Sequence, residues 1–454
     1  MPKGKRKGKY EHRRTEQEYS SEEDAGIDMT NDNYSETSGQ SDLKSIHDEG
    51  ENDSQEKLEE KVLEIIDGLS ARANAARASA LVSLRAALQR RYLAPVLSNQ
   101  RATLADHVAR ALRRGRDAER RAAAAVAPLL ALQIGEEGTE EFMAEVRPAL
   151  VAACTDKTSS LETRAECCSS LAALCYLLEE DVNEILEIMQ MYETIFSSCY
   201  LKGDGSVKVS GAAVEEGAWC GAALDAWSVL LGGLPAPAAQ HALQAAPPGW
   251  ARLPGLLRAA ALDVRLAAGA ALAVAHEAAP HLAERPHELL DLLEQLARDS
   301  HKYRAKRDRK LQRATFRDIL KYFEEDAAPS VAVRVGAETL QCDTWAALGA
   351  YAALAAALGA GLQALAPHAR PLRAALGLDD VLPADALPKA KLNKLQRVTQ
   401  QTFHNEHNGH SVLLRPLYRC MCVMLQHLQN TAACKARTLA RNKNRDKRSA
   451  ALAL

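Results

Sequence analysis

The sequence predicts a mainly α protein, an armadillo- or HEAT-like α-solenoid with a small α+β C-terminal domain and a disordered, charged N-terminal tail. Three observations carry this. Of 454 residues, 47% are hydrophobic but only 4% aromatic. Ala and Leu supply much of the apolar share, which suits closely packed helices better than a β-sandwich. Apolar residues recur at three- and four-residue steps through most of the chain, as one buried helix face requires. These helical stretches, of roughly 15–20 residues, come in pairs at a rough 40-residue period, as stacked α-hairpins do.

Residues 1–55 open with Lys3, Lys5, Arg6, Lys7, Lys9, Arg13 and Arg14. Acids then dominate from Glu16 to Glu60, opposed by Lys44 and Lys57 alone. With hardly any large apolar residue, this tail cannot offset its ordering entropy. Ser20 and Ser21 precede Glu22, Glu23 and Asp24, a context that acidophilic kinases favour.

From Gln55 to about Arg298 the chain reads as one amphipathic helix after another. Leu58, Val62, Ile65, Ile66 and Leu69 form the first stripe, which ends at a Gly. Helices follow over Ala71–Arg90, Gln100–Arg114, Asp117–Leu132, Glu140–Ala153 and Ser160–Leu178, the last capped by Ser159 or Ser160 with Glu162 in its first turn. Asp181–Tyr200 and Val209–Leu231 continue the series. Pro235–Pro254 is Ala/Pro/Gly-rich and reads as a loop or weak helix, before Leu256–His276 and Glu284–Ala297. Arg164 and Arg265 hold similar places in their helices, a pattern that caps solenoid turns.

Between Ser300 and Phe323 a dense cationic helix interrupts stretches that read as weakly charged. Lys302, Lys306, Arg309 and Arg313 fall on one face, and Arg304, Arg307, Lys310 and Arg317 enlarge the patch. Tyr303, Leu311, Phe316, Ile319, Leu320 and Phe323 supply apolar anchorage. So many like charges repel, and such a face points to a polyanionic or acidic partner.

After this helix the period changes. Val331, Val333 and Val335 alternate with Ala332 and Arg334, and two short strands meet around Gly336. A helix from Trp345 to Leu358, capped by Asp343 or Thr344, and another over Pro367–Gly377 follow the strands. Pro383–Pro388 reads as a linker, and 389–454 as a C-terminal helix, Ser411 to about Arg441, with a basic tail. Lys435, Arg437, Arg441, Lys443, Arg445, Lys447 and Arg448 form that second patch, with the composition of an import signal. Neither patch carries regularly spaced exposed aromatics, so it suits a phosphate backbone better than single-strand stacking.

No phosphate-binding Gly loop, nucleophile elbow or H-E-x-x-H helix is present, which argues against an enzyme and against a cofactor. His404, His407, His410, Cys420 and Cys422 come close to a metal pattern. However, a Cys-x-Cys pair on a helix points its sulfurs apart, so no metal is expected. The ten cysteines are scattered and several fall within apolar helical patterns, as free buried thiols do. With no signal-peptide pattern and no bilayer-spanning apolar run, a reducing nuclear or cytoplasmic setting is expected, and the sequon at Asn33 is read as accidental.

Four segments together, SSLETRAECCSSLAALCYL, DSHKYRAKRDRKLQRATFRDILKYFEE, VRVGAETLQCDTW and KARTLARNKNRDKR, resemble the interferon-related developmental regulator family. The resemblance runs from about Glu22 to the end and implies an armadillo-like domain to about residue 310 and a small C-terminal domain at 328–381. It also implies a regulator without enzymatic activity, found in nucleus and cytoplasm. Such a protein is either a transcriptional co-regulator recruiting repressor complexes or a ribosome-associated inhibitor of translation. Its partners are then proteins or RNA, with no membrane or small-molecule substrate, and the concave groove of a solenoid would suit a protein partner.

Overall fold

A computed structural model of the chain describes residues 50–200, 214–245, 249–280, 287–298, 306–336 and 338–378. The chain divides into two units, 1–55 and 56–454, and the fold that follows is that of the second.

Its helices are α1 (Gly50–Gly68), α2 (Asn74–Leu88), α3 (Ala94–Leu97), α4 (Arg101–Arg114), α5 (Asp117–Ile134), α6 (Glu136–Thr155), α7 (Leu161–Leu178) and α8 (Val182–Phe196). They continue with α9 (Gly217–Gly233), α10 (Ala236–Ala245), α11 (Gly249–Leu256), α12 (Leu262–Ala278), α13 (His287–Arg298) and α14 (Lys306–Glu325). A hairpin, β1 (Val331–Val335) and β2 (Glu338–Cys342), leads to α15 (Trp345–Leu358), α16 (Gly361–Leu365) and α17 (Arg370–Ala375).

The solenoid is built from antiparallel pairs. Helices α2, α5, α7, α9, α12 and α14 stack on one another as an inner layer, and α4, α6, α8, α11 and α13 each pack on the inner helix that follows. Local sequence fixes the joints. Ser160 caps α7 by accepting from Thr163 N at 3.2 Å, and the Asp117 carboxylate in turn accepts from Ser160 N at 2.7 Å. Asp181 caps α8 in the same way. Gly135, at φ 84°, allows the reversal between α5 and α6.

One arginine recurs at the fourth position of an inner helix: Arg77, Arg120, Arg164, Arg265 and Arg309. The first step is 43 residues, and Arg120–Arg164 and Arg265–Arg309 are each 44, so the repeat expected at about 40 is real and slightly longer. Cys220 holds this position in α9. Arg77 binds Glu119 at 2.5 and 2.9 Å. Arg120 binds Asp156 at 2.6 Å and also Ser159. Arg164 lies 4.3 Å from the Trp219 ring centre. Arg265 donates to the Ala259 and Ala260 carbonyls and to Gln312. The first four of these arginines each tie their own turn to the next repeat, so inner helices align with their N-termini along one edge.

Several boundaries differ from expectation, for local reasons. The helix expected to Tyr200 stops at Phe196 and tightens into a 3₁₀ turn at Ser197–Cys199. The Pro-rich stretch 235–254 forms two short helices, α10 and α11, and α12 begins only at Leu262. The hairpin pairs Val331 with Cys342 and Val335 with Glu338, with Gly336 at φ 60°. It is held by Arg373, which takes both Glu338 carboxylate oxygens at 2.7 and 2.8 Å.

Helix α15 packs on the stacked inner helices. It lies across α5, α7, α9 and α12, running back from the end of α12 towards the end of α2. Glu277 of α12 accepts from Trp345 N at 2.6 Å and Ala346 N at 2.9 Å, while Thr344 caps Ala347 N. At the other end Gln89 donates to the Leu358 carbonyl at 3.1 Å. Small residues permit the close approach: a Cβ on Gly232 would stand 2.9 Å from Ala346 Cβ. Among the described residues, α15 therefore covers part of the inner layer. A single hydrophobic cluster runs from Val62 through Leu174 to Leu376, and the hairpin and α15 belong to it.

Candidate polyanion-binding face

Helix α14 is anchored on one side and cationic on the other. Phe316, Ile319 and Phe323 are fully buried and Tyr322 nearly so, each such apolar side chain contributing about 1.5–3 kcal/mol of burial. Gly269 of α12 makes room for them, since a Cβ there would fall 2.7 Å from Ile319 Cδ1 and 2.9 Å from Phe316 Cε1. His276 stacks on Phe323 at 5.1 Å, and Tyr322 meets Trp345 at 5.9 Å. Sequence pattern identified Phe316, Ile319 and Phe323 but passed over Gln312 and Thr315, which are also buried. Leu311 and Leu320 are only half-buried. A buried polar pair carries no periodic apolar signal; Gln312 is inside because it serves Arg265 and the Leu296 carbonyl.

On the outer side, Lys306, Arg307, Lys310, Arg317 and Lys321 are exposed and Arg313 is half-buried. Lys306, Lys310, Arg313, Arg317 and Lys321 follow one another at three- and four-residue steps, so they form a stripe. Among the described residues, Lys306, Arg307, Lys310, Arg313 and Arg317 have no ion pair, and Lys321 has only an exposed contact with Glu325 at 4.0 Å. Arg309 fills the recurring inner-helix position and its Nε is buried. It lies three residues after Lys306 and four before Arg313, on the face expected for the three, and like Arg313 it is half-buried. Lys302, Arg304 and Tyr303 lie outside the described residues, as does the whole patch Lys435, Arg437, Arg441, Lys443, Arg445, Lys447 and Arg448.

Between α13 and α14 a shallow groove of about 400 Å³ has a floor of Ala297 and Leu320 and a rim of Arg298, Arg313, Arg317 and Glu294. Arg298 was missed by sequence reading because it stands alone at the end of an ordinary amphipathic helix; only the packing of α13 on α14 brings it beside Arg313. Asp318 sits against the stripe. Burial pushes its carboxyl up to about 6, and the charges of Lys321 and Arg317 oppose that rise.

Among the described residues no three His, Cys, Asp or Glu side chains are grouped to hold a metal ion. The His404–Cys422 cluster lies outside them. The seven described cysteines are free thiols, six of them buried. Burial raises Cys342 to about 11 and Cys175 to about 12, away from thiolate chemistry. No described helix is long and apolar enough to cross a membrane.

Comparison with known proteins agrees with the residues quoted for the resemblance. The family profile described as Interferon-related developmental regulator matches residues 33–324, and one described as Interferon-related protein conserved region matches 422–449. The first spans the solenoid and α14; the second falls on the C-terminal basic stretch. Mouse interferon-related developmental regulator 2 is 35% identical over 408 residues, covering 88% of this chain and 85% of its own length. Pig interferon-related developmental regulator 1 is 32% identical over 442 residues, covering 94% and 90%. The human protein of that name is 30% identical over the same span. The solenoid, its cationic last repeat and these matches together show that the chain belongs to the interferon-related developmental regulator family.

Proposed function

We propose that this protein is a non-enzymatic scaffold that regulates gene expression, in nucleus and cytoplasm, by holding polyanionic or acidic macromolecules on the cationic face of α14. The observation that carries this reading is that five cations of α14, Lys306, Arg307, Lys310, Arg313 and Arg317, have no ion pair among the described residues, while arginines of the same fold are bound inside. Uncompensated like charges on one face lower stability, and an anionic partner offsets that cost.

Two finer readings follow. As a ribosome- or RNA-associated regulator, the protein would lay the stripe along a phosphate backbone, which needs charge and shape but no stacking aromatics. The coverage of part of the inner layer by α15 favours this, because it removes surface on which a solenoid would hold an extended peptide. As a transcriptional co-regulator recruiting repressor complexes, it would instead take an acidic protein segment in the α13–α14 groove, whose floor is apolar and whose rim carries Arg313 and Arg317 beside the Arg298–Glu294 pair.

Replacing Lys306, Arg307, Lys310 and Arg317 together by Glu is expected to abolish binding while circular dichroism stays unchanged. Unaltered binding by the folded variant would remove the function from this face. Sedimentation of lysate through a sucrose gradient separates the two readings. Co-migration with ribosomes that is lost steeply as salt rises supports the RNA reading, and recovery only in free or nuclear fractions supports the protein reading.

A further inference from the structure

The first repeats carry a second cationic surface that the α14 stripe does not use. Between Arg72 and Arg121 stand twelve arginines, no lysine and three acids, Asp106, Asp117 and Glu119. This stretch is therefore not weakly charged, as its Ala/Leu content implied. Five of these arginines are held in ion pairs: Arg77, Arg110, Arg113, Arg120 and Arg121, with Glu119, Asp106, Glu145, Asp156 and Glu162 respectively. Arg72, Arg114 and Arg116 are exposed and have no ion pair among the described residues.

These three are brought together by the fold. Arg77 donates to the Ala71 and Arg72 carbonyls at 2.9 and 3.0 Å, which fixes the turn bearing Arg72 to the first turn of α2. Arg114 ends α4 and Arg116 precedes α5, on either side of Gly115. That glycine is required, because a Cβ there would stand 2.3 Å from the Ala111 carbonyl oxygen. Beside them lies a depression of about 250 Å³, lined by Arg114 and Arg110, by Ala71 and Gly115 next to Arg72 and Arg116 in the chain, and by the Arg77–Glu119 ion pair. Its edge is the one on which the inner-helix N-termini align.

The chemistry is that of phosphate. A guanidinium offers a planar fork that meets two phosphate oxygens at once, whereas an ammonium is a point charge. A surface meant only for solubility has no reason to use arginine alone, and lysine is absent here. We propose that Arg72, Arg114 and Arg116, around the depression shared with Arg110, form a second binding surface for the phosphate backbone of structured RNA, separate from α14. The proposal rests on the RNA form of the reading above but is independent of which residues of α14 take part.

The test uses the full chain and a fluorescent RNA duplex of about 16 base pairs, with anisotropy measured across a range of salt. The variant Arg72→Gln, Arg114→Gln, Arg116→Gln is expected to bind at least about tenfold more weakly. Its slope of log affinity against log salt should fall by about three, one for each phosphate that an arginine no longer neutralises. Because all three side chains are exposed, unchanged circular dichroism serves as the folding control. Wild-type affinity and slope in this variant overturn the proposal. An equal loss towards polyglutamate also overturns it, because the surface would then read acidic protein. A parallel variant, Lys306→Gln, Lys310→Gln, Arg317→Gln, keeps the two ideas apart: if it alone weakens RNA binding, the α14 reading stands and this one falls.

Discussion

Helices α14 and α15 are separated only by a hairpin, yet they meet the solenoid in opposite ways. The first buries one narrow seam, Phe316, Ile319 and Phe323, and leaves a cationic stripe in water. The second, WAALGAYAALAAAL, carries no charge and sinks across the inner layer over most of its length. The difference teaches where this protein can be approached. Small uncharged side chains let α15 close the surface that stacked hairpins would otherwise present, while a helix with charges along one side cannot be closed over and stays available.

The sharpest way to break this comparison is to put a charge into the closed side. Leu354 is fully buried in α15, and Leu354→Asp is expected to cost about 3–5 kcal/mol, since it removes apolar burial and buries an unpaired carboxylate. A fall in melting temperature of only a degree or two would mean that α15 rests loosely on the inner layer. Next in size is its cap. Glu277→Ala removes acceptors from Trp345 N and Ala346 N, and about 1–2 kcal/mol should be lost in chemical denaturation. An unchanged denaturation midpoint would show that side-chain packing alone seats the helix.

The smallest effect concerns the open side and depends on pH. Asp318 has a folded pKa of about 6, above the 3.8 of the free residue, because of burial. In this window the folded state holds the proton more tightly than the unfolded chain. Its contribution to stability is therefore favourable at low pH and lost as pH rises from about 4 towards about 6. Protonation also removes a negative charge beside Arg317 and Lys321, so polyanion affinity should rise modestly as pH falls through about 6. Asp318→Asn should give that higher affinity at pH 7 and flatten the pH dependence. An identical pH profile in the variant would assign the effect to another group.

A second contrast lies among the arginines. Arg120 and Arg114 are six residues apart and identical in chemistry, but one is held by Asp156 and Ser159 while the other faces water. Nothing in the letters at these positions separates them. Arg164 and Arg265 were legible as equivalent because both stand near a helix start; the extension to Arg77, Arg120 and Arg309 needed the helix boundaries. Arg309 shows the cost of reading charge without depth. It falls within the cationic run, yet its position in the repeat draws it partly inward.

The hairpin was visible because alternation of Val331, Val333 and Val335 is a local property of a strand. Helix identity, the paired repeat and the cationic character of 306–317 were likewise written in composition and period, because side chains three and four apart share a face wherever the helix lies. What only the tertiary structure decided was which surfaces remain open. The course of α15 over the inner layer, the buried Gln312 and the meeting of Arg298 with Arg313 all depend on contacts between residues distant along the chain. Such contacts leave no periodic trace, since each is satisfied by a single partner that packing brings near.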